Sequence, residues 1–312
     1  MQIHYLPAIL PTFSKAVVTI GTFDGVHTGH QQIIAQLKNK AKQIGGETVL
    51  ITFHPHPRTV LGQASIGFML NSIDERLQLL ASHGIDHVVV VPFTSSFASQ
   101  EASNYIHDFL WKLFKPHTII IGYDHHFGKD RIGNYQMLET YGADLGFEVQ
   151  EISEEIWNDI TISSTRIRKA LQEGNIPLSN SYLGYPYFFS GQVVKGNQLG
   201  RTIGYPTANL QMLNIEKLLP KQGVYAVFAT LENNATLLKG MMNIGYRPTV
   251  DGKKFSIEVH LLDFDADIYD KILQVQVIEQ LRSEQKFEGL EMLKNQLHLD
   301  KAEAQKVLEA IG

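Results

Sequence analysis

The chain contains no cysteine. That excludes disulfides, thiolate zinc sites and a cysteine nucleophile, and it fits a reducing, cytoplasmic setting. No window approaches the roughly 18–20 apolar residues that a membrane-spanning helix needs, so no membrane association is expected. Residues 1–7 have neither a basic start nor a long apolar stretch, so no secretory signal is expected. Positive charge is also short. Lys and Arg number 27 against 32 Asp and Glu, a net charge of −5. A general nucleic-acid binder carries a basic face, so nucleic acid is not an expected partner. A small anionic ligand responds to local charge and stays open. What is present is ordinary for a folded protein, with 44% hydrophobic and 19% charged residues. At 312 residues the chain exceeds what one core usually organises, so two domains are expected.

The first half alternates strand-like and helix-like segments. Residues 16–20, 48–53, 87–91 and 118–122 are continuously apolar and read as strands. Residues 31–38, 73–83 and 105–114 carry apolar positions at helical spacing. Strands with no wet side, separated by helices, indicate a parallel sheet covered on both faces. Ligands of such sheets bind beyond the carboxyl ends of the strands.

The polar residues gather there. Gly21-Thr22-Phe23-Asp24-Gly25-Val26-His27-Thr28-Gly29-His30 joins the first strand to a helix. Backbone N–H groups and the positive end of the helix dipole suit an anion, and His27 and His30 add donors. His54 and His56 follow the second strand among prolines, and packing or ligand contact suits them better than zinc. Residues 122–128 follow the fourth strand with His125 and His126. The run Ser163-Ser164-Thr165-Arg166-Ile167-Arg168 then opens a helix. Alone it is more simply an N-cap with a solvated arginine. Opposite a His-x-Gly-His turn it reads as a second phosphate site.

Past residue 174 the period changes. Residues 188–194, 223–231, 238–244, 255–262 and 272–278 alternate like strands with no helices between them. An antiparallel barrel or sandwich follows, with the boundary near Tyr182 and domains of 1–182 and 183–312. Residues 287–297 and 301–311 read as two terminal amphipathic helices. A glycine-rich loop at 195–204 is not a Walker A loop, and glycine count alone suggests a hairpin turn. Thr207 and Asn209 lie two apart, so in extended chain both face one way. Their oxygens suit Mg²⁺. Glu258 sits in an apolar strand, where it is either solvated on an outward face or a base facing the glycine loop.

These motifs carry a resemblance. Residues 21–30 with 162–168 resemble the nucleotidyltransferases with His-x-Gly-His signatures. With residues 52–57 and 122–133 added, the pattern resembles the adenylyltransferase domain of bacterial bifunctional riboflavin kinase/FAD synthetases. Residues 200–209, 223–226, 243–249, 258–264 and 281–287 resemble the riboflavin kinase domain of the same family. The resemblance implies a Rossmann-like domain followed by a six-stranded antiparallel barrel. It implies ATP-dependent conversion of riboflavin to FMN in the barrel and adenylylation of FMN to FAD in the first domain.

In the first domain it assigns Gly21, Phe23, Asp24, His27, His30, Ser164, Thr165 and Arg168 to ATP and its phosphates. Asp124, Phe127 and Asn134 go to the flavin or nucleotide. In the barrel, Gly196, Gly200, Arg201, Gly204, Pro206 and Arg282 contact ATP or flavin. Thr207 and Asn209 hold Mg²⁺, and Glu258 is the base. His125 stands where an aromatic is expected, and Asp270 where a glycine is expected. Riboflavin, FMN and ATP are the expected partners, and a homo-oligomer is left open. Two rival readings remain: a kinase whose first domain uses another acceptor or is inactive, and a flavin-responsive binding protein without turnover.

Overall fold

A computed structural model describes residues 1–122, 125–152, 162–196, 199–232, 234, 236–249 and 252–311. By contact the chain forms two compact units, Met1–Ser164 and Thr165–Gly312.

The first unit is built on strands β1 (Gln2–Tyr5), β2 (Val17–Ile20), β3 (Thr48–Phe53), β4 (His87–Val91), β5 (Thr118–Gly122) and β6 (Glu148–Ile152). They form one sheet in the order β1-β4-β3-β2-β5-β6, every pair parallel. Strand alternation divides the core. Val18, Ile20, Val49, Ile51, Ile119 and Ile121 face one layer, while Val17, Leu50, Val88 and Ile120 face the other. That second layer takes Ile33, Ile34 and Leu37 of helix Thr28–Ile44 and Leu77 and Leu80 of helix Ile73–Ser82. The chain winds outward from β2 through β3 to β4, then returns to β5 on the other side of β2. The crevice between β2 and β5 is thus a switch point, where ligands of open parallel sheets bind.

The sequence reading finds β2 to β5 but omits β1 and β6. Both are edge strands, and their side chains are largely exposed, so neither has an apolar run to betray it. Residues 105–111 are helical as expected but wound as a π-helix, between short α-turns at Ala102–Asn104 and Lys112–Phe114.

The second unit is a closed barrel of β7 (Tyr187–Val194), β8 (Ala208–Met212), β9 (Gly223–Leu231), β10 (Leu238–Thr249), β11 (Gly252–Leu261) and β12 (Ile272–Arg282). All its pairings are antiparallel. The expected Rossmann-like sheet and six-stranded barrel are therefore both present. The two terminal helices expected from sequence are one, Leu290–Glu309. No glycine or proline interrupts residues 297–301. Asp300, at the expected break, is instead buried and anchored. Contacts assign helices Ser164–Glu173 and Ile176–Leu183 to this unit, apart from Ser164 itself. That contact division precedes the sequence boundary near Tyr182, which marks where the barrel strands begin.

Candidate active sites

The turn after β2 is strained. Phe23 and Val26 have φ of 48° and 36°, and Gly25 lies between them at 91°. Positive φ is unfavourable for a β-branched residue such as Val26, and such strain collects at functional sites. Several contacts hold the turn. Gly21 leaves room for the Phe23 ring, which a Cβ at Gly21 would approach to 3.1 Å. The Asp24 carboxylate accepts from the backbone N–H of Leu70 at 3.0 Å and of Asn71 at 3.1 Å. The Ser164 hydroxyl donates to Asp24 O at 2.9 Å. Asp24 thereby positions the turn.

His27 is the N-cap of helix Thr28–Ile44, its Nδ1 accepting from the His30 N–H at 3.4 Å. The two imidazoles stack with centroids 3.7 Å apart. Burial holds His30 well below the usual histidine range, and the charges of His27 and Arg76 push it further down. His30 is therefore a neutral ring whose buried Nδ1 has no partner. It meets a ligand as a hydrogen-bonding group, and an anion would draw a proton onto it.

Beside this turn lies a residue that sequence reading passed over. Arg76, on helix Ile73–Ser82, is fully buried at 0% exposure. Its Nη1 donates to Thr52 Oγ1 at 3.0 Å and to Phe53 O at 3.2 Å, at the carboxyl end of β3. The signal was available: Arg76 and Leu80 are four apart, so a cation sits on the apolar stripe.

Other assigned residues have structural partners. Asn134 caps helix Tyr135–Leu145 by accepting from Met137 N–H at 3.0 Å. Phe127 is buried, stacked on Tyr105 at 4.8 Å. His56 caps a short turn, accepting from Arg58 N–H at 3.1 Å. His125 packs near Phe127 with a buried Nε2 that has no partner. Asp124 lies outside the described residues. Thr165 is exposed and Arg168 is buried, one turn apart on a single helix.

In the barrel, register does the positioning. Glu258 on β11 pairs directly with Asn209 on β8, and Asn209 also pairs with Val194 on β7. Glu258 lies on the face opposite Ile257 and Val259, yet it is only 5% exposed. It accepts from Ser256 Oγ at 3.0 Å. The Gly196 backbone crosses close over Asn209, whose Oδ1 would stand 2.7 Å from a Cβ there. Gly200 is as tightly placed: a Cβ would collide with Tyr205 O and lie 3.5 Å from Thr207 Oγ1. Tyr205 N donates to Gly200 O at 2.7 Å, and Gly204 takes φ of 85° to close the loop.

This loop borders a cavity of about 1380 Å³. Arg201, Gly204, Pro206 and Thr207 line it, facing Lys294, His298 and Lys301 of the terminal helix. Asn209 and Glu258 are not among its lining residues. His260, unassigned from sequence, donates from Nδ1 to Pro206 O at 2.7 Å. Tyr205 O–H and His298 Nδ1 are 2.6 Å apart. Arg282 is committed elsewhere: Nε and Nη2 donate to the Asp300 carboxylate at 2.9 and 2.8 Å.

Comparison with known proteins identifies the family. The FAD synthetase family model matches residues 10–166, and the riboflavin kinase model matches residues 183–308. The bifunctional riboflavin kinase/FMN adenylyltransferase of Escherichia coli (strain K12) is 38% identical over 92% of this chain and 91% of that protein. The protein of the same name from Bacillus subtilis (strain 168) is 37% identical over 93% and 92%. A crystal structure of a protein called a macrolide-efflux protein, from Streptococcus pneumoniae, superposes with a TM-score of 0.85 at 30% identity. It covers 97% of this chain and 98% of that one. Among the described residues here, no helix is long and apolar enough to cross a membrane. The chain belongs to the bifunctional riboflavin kinase/FMN adenylyltransferase family, a FAD synthetase domain followed by a riboflavin kinase domain.

Proposed function

We propose that this chain carries out two successive ATP-dependent reactions. Residues 183–312 phosphorylate riboflavin to FMN, and residues 1–182 adenylylate FMN to FAD with release of pyrophosphate. The observation that carries the reading is the buried pairing of Glu258 with Asn209 on adjoining barrel strands. A carboxylate so placed accepts a proton from the ribityl 5′-hydroxyl as that oxygen attacks the γ-phosphorus of ATP. Thr207 Oγ1 and Asn209 Oδ1 are hard donors under glycine backbone, a set that fits Mg²⁺. Bound Mg²⁺ would neutralise polyphosphate charge. The loop at Gly196, Gly200, Arg201, Gly204 and Pro206 holds the nucleotide. Arg282, paired with Asp300, fixes the barrel wall next to the terminal helix.

In the first unit, an FMN phosphate oxygen attacks the α-phosphorus of ATP and pyrophosphate leaves. The chain's part is placement and charge stabilisation. His27 and His30 donate to phosphate oxygens. Ser164, tied to the turn through Asp24 O, offers its hydroxyl to the leaving group. Asp24 keeps the turn in shape. His125, where an aromatic is expected, is the residue on which the rival reading, a different acceptor for this unit, rests. FMN, riboflavin and ATP are the proposed small-molecule partners, and the cytoplasm the proposed setting.

Two substitutions test the division. Glu258→Gln should lower FMN formation about 10²–10⁴-fold, the usual worth of a general base, and leave FMN-to-FAD conversion intact. His30→Ala should do the reverse. Loss of both reactions in either folded variant would refute two separate sites.

A further inference from the structure

Arg76 has more donors than the fold uses. Its Nη1 is spent on Thr52 Oγ1 and Phe53 O. Its Nε and Nη2 are buried and have no partner. The N–H bonds of those two atoms run side by side, and that edge of a guanidinium takes a phosphate or carboxylate bidentately. A buried cation with an idle edge is costly unless something occupies it. Among the described residues no carboxylate closes that edge. Asp24, whose charge acts on Arg76, turns its oxygens to the N–H groups of Leu70 and Asn71.

The place is specific. The Arg76 partner Thr52 donates onward to Thr22 O at 3.0 Å, inside the strained turn. The guanidinium is thus tied to the carboxyl ends of β2 and β3, and its charge is felt by the His30 ring. His30 likewise has an unpartnered buried nitrogen, Nδ1. Arg76 thus brings a non-titrating positive charge to the carboxyl ends of β2 and β3, within electrostatic reach of the neutral His30 ring.

We propose that the Nε–Nη2 edge of Arg76 is an anion seat in the first unit, taking two non-bridging oxygens of a phosphate group. The naming of that phosphate as the one held by His27 and His30 rests on the adenylyltransferase reading. The seat itself does not.

The test uses the full chain labelled with ¹⁵N-arginine and ¹⁵N-histidine. The Arg76 Nε–H signal is traced through its own side chain to the backbone amide, so the wild type carries the experiment. Inorganic pyrophosphate and FMN are added separately. A shift of the Arg76 Nε–H with pyrophosphate assigns the seat to the ATP polyphosphate, and a shift with FMN alone assigns it to the flavin phosphate. Pyrophosphate affinity, read at the His30 ring, should fall at least tenfold in Arg76→Lys, which keeps a charge but loses the fork. An unmoved Arg76 signal at saturation with both probes overturns the proposal. So does unchanged affinity in a folded Arg76→Lys. If the wild type makes no FAD from FMN and Mg-ATP while its Arg76 signal still shifts, the adenylyltransferase reading fails and the seat stands.

Discussion

At His125 burial sets the chemistry of a ring that the motif leads one to expect as an aromatic. Desolvation, with the charges of His126 and Arg131, lowers its pKa to about 4. The unfolded chain binds this proton near the ordinary value of about 6.5. Between those two values the unfolded state holds a proton that the folded state refuses. Stability from this group is full above pH 6.5 and is lost as pH falls toward 4. His125→Phe removes that loss and fills the space with a ring that wants no hydrogen bond. Its melting temperature should fall less than that of the wild type between pH 7 and pH 5, by about 2–4 °C. Equal pH sensitivity in the two proteins would contradict the assignment. His30 gives a second, ligand-linked effect. Its pKa is depressed in the free protein, and an anion raises it. Pyrophosphate should therefore move the His30 ring ¹⁵N resonances toward those of a protonated or hydrogen-bonded imidazole. Unmoved ring resonances at saturation would mean that His30 does not touch the anion.

An ion pair ties the terminal helix to the barrel. Arg282 ends β12, and its fork meets Asp300, which is buried and also accepts from Gln296 Nε2 at 2.9 Å. Removing one member of such a pair strands the other. Asp300→Ala should cost about 3 kcal/mol in urea unfolding, at the lower end of the range because Arg282 is partly solvated. A cost below about 0.5 kcal/mol would mark the pair as a surface contact. Elements also differ in how well the sequence announced them. Strands β3, β4 and β5 were readable to the residue because burial on both faces leaves a nearly continuous apolar run. Strands β1 and β6 were not, because edge strands with exposed side chains carry no such run. The terminal helix read as two, with residues 298–300 left between them. Only the tertiary pair with Arg282 explains why Asp300 points inward.

For the whole molecule, two chemistries share one chain, and their signals in the sequence were unequal. His27, His30 and Glu258 were legible as candidates because each stands out within its own short segment, whereas the stacking of the imidazoles and the pairing of Glu258 with Asn209 are set by the folded chain. Arg76, His260 and His298 were not legible, because their partners lie far along the chain, at Thr52, Pro206 and Tyr205. Phe127 and Asn134 had ligand roles by resemblance but are also a core ring and a helix cap. The central claim is that both reactions run in sequence. The direct measurement is product accounting by ³¹P resonance with riboflavin and excess Mg-ATP. The account predicts FMN first, then complete conversion to FAD, with ADP and pyrophosphate released in equal amounts. ADP release that stops at FMN, with no pyrophosphate formed, would contradict it.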